Sequence, residues 1–234
     1  MKQKKTVAIV PSAGQGKRLG LHISKPFVLL IDKPLIAWTL ITLNSVEEIS
    51  EIIPVFRQED TAEAIKLIER FSITKIKRIA SGGSERQDSV LNGLRLIGDS
   101  VDIVLVHDGV RALVKKSLIE NSIAELEGYD GVITAVPPKD TIKETDDSKM
   151  VIRTHNRSAL WSIQTPQVFP FKTLLDAHEK ALSDGFYSTD DSALVERLGG
   201  KIKVLMGSYK NIKVTTPEDI LVAEALMKTE TGNL

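Results

Sequence analysis

Six short apolar runs, at 6–10, 51–56, 75–80, 102–107, 131–136 and 201–206, are spaced along the chain with helix-period stretches between most of them. Runs of this length without polar alternation belong to strands buried on both faces. Strands separated by helices pair in parallel, through crossovers that lay the helices on the sheet. The expected fold is therefore α/β, with a mainly parallel central sheet and helices on both faces. In such sheets ligands sit beyond the carboxyl ends of the strands. The loops after Val10, Ala80, His107 and Val136 are where a site is expected.

The intervening segments carry helix signals. Residues 34–45 bring Leu35, Trp38, Leu40, Ile41 and Leu43. Asp60 with Glu63 marks a capped start for a helix burying Ile65, Leu67 and Ile68, and Ser84 followed by Gln87 has capping-box spacing ahead of Val90, Leu91, Leu94 and Ile97. Thr216-Pro217-Glu218-Asp219 sets a cap, a first-turn proline and two acids at the positive end of a helix dipole. One region departs from the pattern. Residues 137–157 open on Pro137-Pro138 and place β-like stretches at 140–143 and 150–154 around the polar turn Asp146-Asp147-Ser148-Lys149. This predicts a protruding β-hairpin arm with little apolar surface. A lone hairpin is marginal in water, so the arm is expected to lie on a second copy of the chain, giving a homodimer, or back on its own domain. No repeat or linker interrupts 1–234, which reads as a single domain.

Composition limits the partners. Thirty-one basic and thirty-one acidic residues cancel, so no broad field draws the chain to nucleic acid or anionic membrane, and any anion site must be local. The absence of cysteine excludes disulfides and thiolate metal sites. The basic start precedes only about five apolar residues, too few for a signal peptide, and no run approaches the roughly 20 residues of a membrane span. A cytoplasmic location is expected.

The residues suited to chemistry fall at the predicted strand ends. After the first strand come Pro11, Ser12, Ala13, Gly14 and Gly16, then Lys17, Arg18 and Lys25. Freed backbone N–H groups in such a loop cradle phosphate while cations offset its charge. The loop fits neither well-known phosphate scheme. Leu19 stands where a dinucleotide fingerprint needs glycine, and no Gly-Lys-Ser/Thr triplet follows. A second cluster, 81–89, leads a double glycine into a helix start, and its N–H groups suit either a base edge or a plain cap. A third, His107-Asp108-Gly109-Val110-Arg111, puts a carboxylate beside an arginine, fit for Mg²⁺ or a hydroxyl, or for a structural ion pair. Dispersed polar groups follow: Lys139, Thr141, Lys143, Arg153, Arg157, Thr165-Pro166-Gln167 and Asn211 to Thr215. None of His22, His107, His155 and His178 has metal-ligand spacing or a nucleophile partner, and none is given a catalytic role. An inventory rich in cations and backbone donors suits phosphoryl or nucleotidyl transfer.

Taken together, these motifs resemble a known family. Residues 11–19 with Lys25-Pro26-Phe27 are similar to the nucleotide loop of the NTP-transferase superfamily. Gly82-Gly83-x-x-Arg86-x-x-Ser89-Val90, Val106-His107-Asp108-x-x-Arg111, Asp140-Thr141-x-Lys143, Thr165-Pro166-Gln167 and Asn211 to Asp219 resemble the 2-C-methyl-D-erythritol 4-phosphate cytidylyltransferases, in order and over nearly the whole chain. That family's CTP-dependent reaction belongs to the non-mevalonate isoprenoid pathway. The resemblance implies a Rossmann-like fold, CTP and a sugar-alcohol phosphate as substrates, and Mg²⁺ as cofactor. It implies that Arg18 and Lys25 stabilise charge on the triphosphate. Pro11, Ser12, Ala13, Gly14, Gly16, Gly83, Ser84 and Ser89 would hold the nucleotide. Asp108 would contact the polyol hydroxyls, with a metal contact as a further candidate role. Arg111, Thr141, Arg157 and Lys213 would position the second phosphate, Arg157 and Lys213 also counting as catalytic. It implies too that the 137–157 hairpin crosses to a partner subunit. Ser12 stands where alanine is frequent, Pro26 where glutamine is, and Ala112 where proline usually follows the arginine. A ribitol 5-phosphate cytidylyltransferase and a non-catalytic nucleotide-binding regulator on the same fold are the alternatives.

Overall fold

A computed structural model describes residues 4–14, 16 and 23–230. The chain runs β1 (Thr6–Pro11), β2 (Leu29–Leu30), β3 (Lys33–Pro34), α1 (Leu35–Asn44), β4 (Ile49–Phe56), α2 (Thr61–Arg70), β5 (Ala80–Ser81), α3 (Arg86–Leu94), β6 (Ile103–Val106), α4 (Lys116–Ala124), β7 (Gly131–Val136), β8 (Lys143–Thr145), β9 (Val151–Thr154), β10 (Ser162–Pro170), α5 (Phe171–Ser183), α6 (Ser192–Arg197), β11 (Ile202–Met206) and α7 (Pro217–Glu230). Seven strands form one sheet in the order β11-β7-β10-β6-β1-β4-β5. Within it β10 alone runs antiparallel to its neighbours, β6 and β7.

The period of two in the strands sorts their side chains into two cores. On one face Ala8, Val10, Ile52, Leu105, Val132 and Val168 meet α1, α2 and α4 through Leu40, Leu67 and Ile119. On the other, Val7, Ile9, Ile53, Val104, Ile133 and Phe169 meet α3, α5 and α6 through Val90, Leu174 and Leu194. Each such buried aliphatic or aromatic side chain contributes about 1.5–3 kcal/mol, so both faces must stay covered. The parallel sheet with helices on both faces is the architecture expected from the apolar runs.

The differences have physical causes. The 75–80 run contributes only an isolated bridge, Ile52 to Ile76, before β5. Its polar members pull it outward, Arg78 donating to Glu51 Oε1 at 2.6 Å and to the Leu96 carbonyl at 2.6 Å. β10 lies outside the predicted apolar runs, because Pro166 and two glutamines disguise it. The ladder with β7 skips from Ile163 to Gln167, and the proline sits in that gap, where no ladder donor is needed. Asp60 does precede α2, but its carboxylate binds Arg57 and Ser24 instead of capping. The α3 cap lies one residue later than predicted: Asp88 accepts from the Glu85 N–H at 3.0 Å.

The hairpin forms as β8 and β9, pairing Lys143 with Thr154 and Glu144 with Arg153. Its surface is more apolar than the sequence suggested. Met150, Val151 and Ile152 are 67%, 58% and 60% exposed. The arm's root is fastened to the body, where Tyr209 Oη donates to the Pro137 carbonyl at 2.8 Å and Lys139 lies over the Tyr209 ring.

The start of β7 is closely packed between the sheet's two neighbouring strands. A Cβ on Gly131 would stand 2.6 Å from the Phe169 ring and 2.7 Å from Ile202 Cδ1. Gly131→Ala is expected to lower unfolding free energy by about 1–3 kcal/mol through overpacking. Denaturant titration should show an earlier midpoint at unchanged slope; an unmoved midpoint would mean the strand seam yields freely.

Candidate active site

The strand order reverses at β1. The chain builds β4 and β5 on one side of it and returns to lay β6 on the other. The crevice beyond the carboxyl ends of β1 and β6 is the binding position of such sheets. The loop leaving β1 is held by the Ser12 N–H donating to the Val55 carbonyl at 2.9 Å and by Ser12 Oγ on the Val10 carbonyl at 3.2 Å. Gly16 has φ +65°, and a Cβ there would lie 2.7 Å from Lys25 Cβ, so only glycine lets the loop pass the lysine. Lys25 opens a short 3-10 turn. Ser24, just before it, donates to Asp60 Oδ1 at 2.6 Å, and Arg57 braces both. That anchorage explains why Asp60 is not available to cap α2. Arg18 lies outside the described residues.

Pro11, Ser12, Ala13, Gly14, Gly16 and Lys25 form one wall of a cleft of about 420 Å³, and Gly83, Ser84, Glu85 and Ser89 form the other. The walls approach closely: a methyl on Gly82 would overlap the Ala13 Cβ. Gly82 donates its N–H to the Phe56 carbonyl at 2.7 Å, and Gly83 donates to Ser89 Oγ at 3.0 Å. Ser89 is thus a brace for the loop as well as part of its lining.

Asp108 and Lys213 close the cleft. The Asp108 carboxylate meets three cations: Arg86 Nε at 3.1 Å, Lys213 Nζ at 2.9 Å and Arg111 Nε at 3.5 Å. Burial alone would raise its pKa, but the charges of Arg86, Lys213 and Arg111 prevail and hold the carboxyl well below the usual range. The backbone beneath is fixed by β10. Thr165 Oγ1 accepts from the Asp108 N–H at 3.0 Å and lies 3.0 Å from His107 Nδ1. Asn211 donates to the Thr165 carbonyl at 2.8 Å, and Arg111 donates to the Asn211 carbonyl at 2.7 Å. Arg111 is therefore seated without the proline that usually follows it in similar sequences. The Thr165-Pro166-Gln167 and Asn211 motifs serve as the shelf for Asp108 and Lys213.

A second cavity, of about 730 Å³, adjoins the first. Arg86, Asp108 and Lys213 line both, and Arg111, Trp161 and Gln164 belong to the second. Thr141 and Arg157 line neither. Both are exposed on the arm or at its base, where Arg157 Nη1 donates to the Lys139 carbonyl at 2.5 Å. The two Asp108 oxygens accept from Arg86 and Lys213, and no three His, Cys, Asp or Glu side chains gather around an ion position among the described residues, so Asp108 would hold Mg²⁺ only together with substrate phosphates.

Arg86 appeared in the sequence only as a motif letter. A signal was available, since it is the first residue of α3 and a cation at a helix N-terminus opposes the dipole. Such a residue calls for a carboxylate partner elsewhere in the fold.

His107 is 0% exposed, and burial pushes its pKa down to about 4. The folded state holds it neutral while the unfolded chain protonates it near pH 6.5, so stability falls as pH drops from 6.5 to 4 and is flat above. His107 should account for about 3 kcal/mol of that loss at most. Urea titrations across this range should show a shallower pH dependence in His107→Gln; an identical slope would place the acid sensitivity elsewhere.

Residues 6–229 match the family model for IspD, 2-C-methyl-D-erythritol 4-phosphate cytidylyltransferase. Two proteins of that name, from Geotalea uraniireducens and Desulforamulus reducens, are 43% and 41% identical to this chain, covering 96% and 95% of it and 97% and 95% of their own length. The crystal structure of the 4-diphosphocytidyl-2C-methyl-D-erythritol synthase from Anaerococcus prevotii superposes with a TM-score of 0.87 at 37% identity, over 97% of each chain. The Thermus thermophilus cytidylyltransferase superposes at 0.77 and 26% identity, over 94% of this chain and 98% of its own. The cleft at the β1/β6 switch point and these matches lead to one conclusion: the chain belongs to the 2-C-methyl-D-erythritol 4-phosphate cytidylyltransferase family.

Proposed function

We propose that the chain transfers CMP from CTP to 2-C-methyl-D-erythritol 4-phosphate, giving 4-diphosphocytidyl-2-C-methyl-D-erythritol and pyrophosphate. The supporting observation is the coincidence of two residue sets. The nucleotide residues expected from the sequence, from Pro11 to Ser89, line one cleft together with Lys25, Asp108 and Lys213. A phosphate oxygen of the acceptor forms the new bond to the α-phosphorus, and the bond to the β-phosphate oxygen breaks. The attacking oxygen is already anionic, so no general base is required. This agrees with an Asp108 held ionised by cations and a His107 buried away from solvent.

Catalysis then rests on positioning and charge. Lys25, and Arg18 by the family resemblance, offset negative charge growing on the triphosphate. Ala13 and Gly82 pack in direct contact, which holds the two walls of the nucleotide cleft together. A carboxylate has about four lone-pair sites, so Asp108 retains room to accept from a polyol hydroxyl while Lys213 and Arg111 face the acceptor phosphate. Mg²⁺, the cofactor the resemblance implies, would be held by the CTP phosphates with Asp108 as the candidate protein contact, and would add positive charge beside Lys25. We read residues 1–234 as one cytoplasmic nucleotidyltransferase domain. No helix among the described residues is long and apolar enough to cross a membrane. The exposed apolar strand of the arm favours a homodimer in which Arg157 and Thr141 reach the partner's cleft. Pyrophosphate release from CTP with methylerythritol phosphate, set beside ribitol 5-phosphate, tests the reading. Release with ribitol phosphate alone would transfer it to the other polyol, and release with neither would leave a nucleotide-binding protein.

The crossover arm can be tested by complementation. Lys25→Ala alone should lose about 10²–10³ in turnover, and Arg157→Ala should lower kcat/KM for the sugar phosphate with CTP affinity nearly intact. Mixed in equal amounts, the two variants should recover at most about a quarter of wild-type activity, because half the dimers then contain one intact site of two. No recovery after verified subunit exchange would place Arg157 in its own chain's site.

A further inference from the structure

Two buried groups behind the cleft take no part in the proposed chemistry. His178, in α5, and Asp191, just ahead of α6, are 0% and 1% exposed. His178 Nε2 lies 3.1 Å from Asp191 Oδ1, and Asp191 Oδ2 accepts from Arg86 Nη1 at 2.7 Å. The same guanidinium donates Nε to Asp108 Oδ1 at 3.1 Å. A continuous line of polar groups therefore joins the far side of the sheet's helical layer to the carboxylate at the junction of the two cavities. A guanidinium on one carboxylate can still swing, whereas one gripped at two of its nitrogens by carboxylates from different elements is fixed in plane. Burial would raise the Asp191 pKa, but Arg86 and His178 outweigh it and hold the carboxyl below its ordinary value. Its charge thus persists where Arg86 needs it.

We infer that Arg86 is a positioning residue for Asp108, and that Asp191, oriented by His178, holds Arg86 in the plane that aims the Asp108 carboxylate at the acceptor's hydroxyls. The aim at hydroxyls rests on the function proposed above; the positioning of Asp108 does not. A helix-start arginine facing only solvent would gain nothing from a buried aspartate backed by a buried histidine, and burying two polar groups with no task is costly. Asp190, the preceding residue, is engaged separately with Gln167 and Ser192, which leaves Asp191 to Arg86 and His178.

A double-mutant cycle in the full-length protein tests this. Asp191→Asn should lower kcat/KM for methylerythritol phosphate by about ten- to a hundredfold, the range of one hydrogen bond to a charged group. KM for CTP should stay within about twofold. Asp108→Asn with Asp191→Asn should cost no more than about twofold beyond Asp108→Asn alone, because Asp191 acts through Asp108. Multiplicative losses, or an equal effect on CTP, would overturn the assignment to Asp108. A second readout needs no substrate. In a ¹H–¹⁵N spectrum, the Arg86 Nε–H resonance, identified by its loss in Arg86→Lys, should move in Asp191→Asn and in His178→Gln. It should stay in Asp184→Asn, whose partners are Lys180 and Arg197 on the surface. Where Asp191→Asn lowers the melting temperature by more than about 5 °C, His178→Gln is read in its place in both experiments. An Arg86 resonance unmoved by either variant overturns the inference whatever the substrate. An inactive wild type whose Arg86 resonance responds as expected overturns the functional reading and leaves the positioning of Asp108 standing.

Discussion

A single carboxylate, Asp108, sits among Arg86, Arg111 and Lys213 at the end of β6, and the arrangement of the site depends on it. Three cations drawn from α3, from the β6 loop and from the segment before α7 would repel one another without it. At an effective dielectric constant near 20, each close pair of like charges costs on the order of 3 kcal/mol. The carboxylate converts that repulsion into a rigid cluster with a net positive charge, suited to anions and fixed in space. Cations already bonded to a protein carboxylate need little reorganisation when a phosphate arrives, and preorganisation of this kind is the main source of electrostatic catalysis.

The rest of the fold supplies the position of that cluster. β1 and β6 lie side by side in parallel, so their following loops share one edge of the sheet. The Thr165 hydroxyl, displaced from the ladder by the irregularity in β10, anchors the Asp108 backbone from the opposite direction. The single antiparallel strand therefore has a structural purpose: it brings a polar loop to the carboxyl edge that a parallel strand would have carried to the other end. Buried His107 ties the same threonine to the Arg111 carbonyl. The cost of this wiring is a neutral histidine inside the core, and with it a stability that declines in mild acid.

Much of this was legible in the chain. The apolar runs at 6–10, 102–107 and 131–136 became β1, β6 and β7 almost unchanged, because uninterrupted Val, Ile and Leu have no other place than a two-sided core. The first loop and Gly83-Ser84 came together as one cleft because strand ends in a parallel sheet share an edge. Long-range polar pairing could not be read in the same way. Arg86 and Asp191 are separated by 105 positions, and neither has a periodicity that identifies its partner. β10 was hidden because Pro166 is a strand breaker everywhere except at a gap in the ladder. The arm's exposed strand is not legible either: the polar turn at 146–149 predicts a polar hairpin, whereas Met150, Val151 and Ile152 stand exposed and meet no core in this chain.

Calorimetric titration of inorganic pyrophosphate into Asp108→Asn, beside the wild type and at several salt concentrations, measures the role of the central carboxylate directly. With that negative charge gone, Lys213 and Arg111 lose their carboxylate and Arg86 keeps only Asp191. Pyrophosphate should bind at least about fivefold tighter, with a steeper salt dependence, while turnover with the acceptor collapses. Unchanged or weaker pyrophosphate binding in a variant of normal stability would contradict a site organised by Asp108.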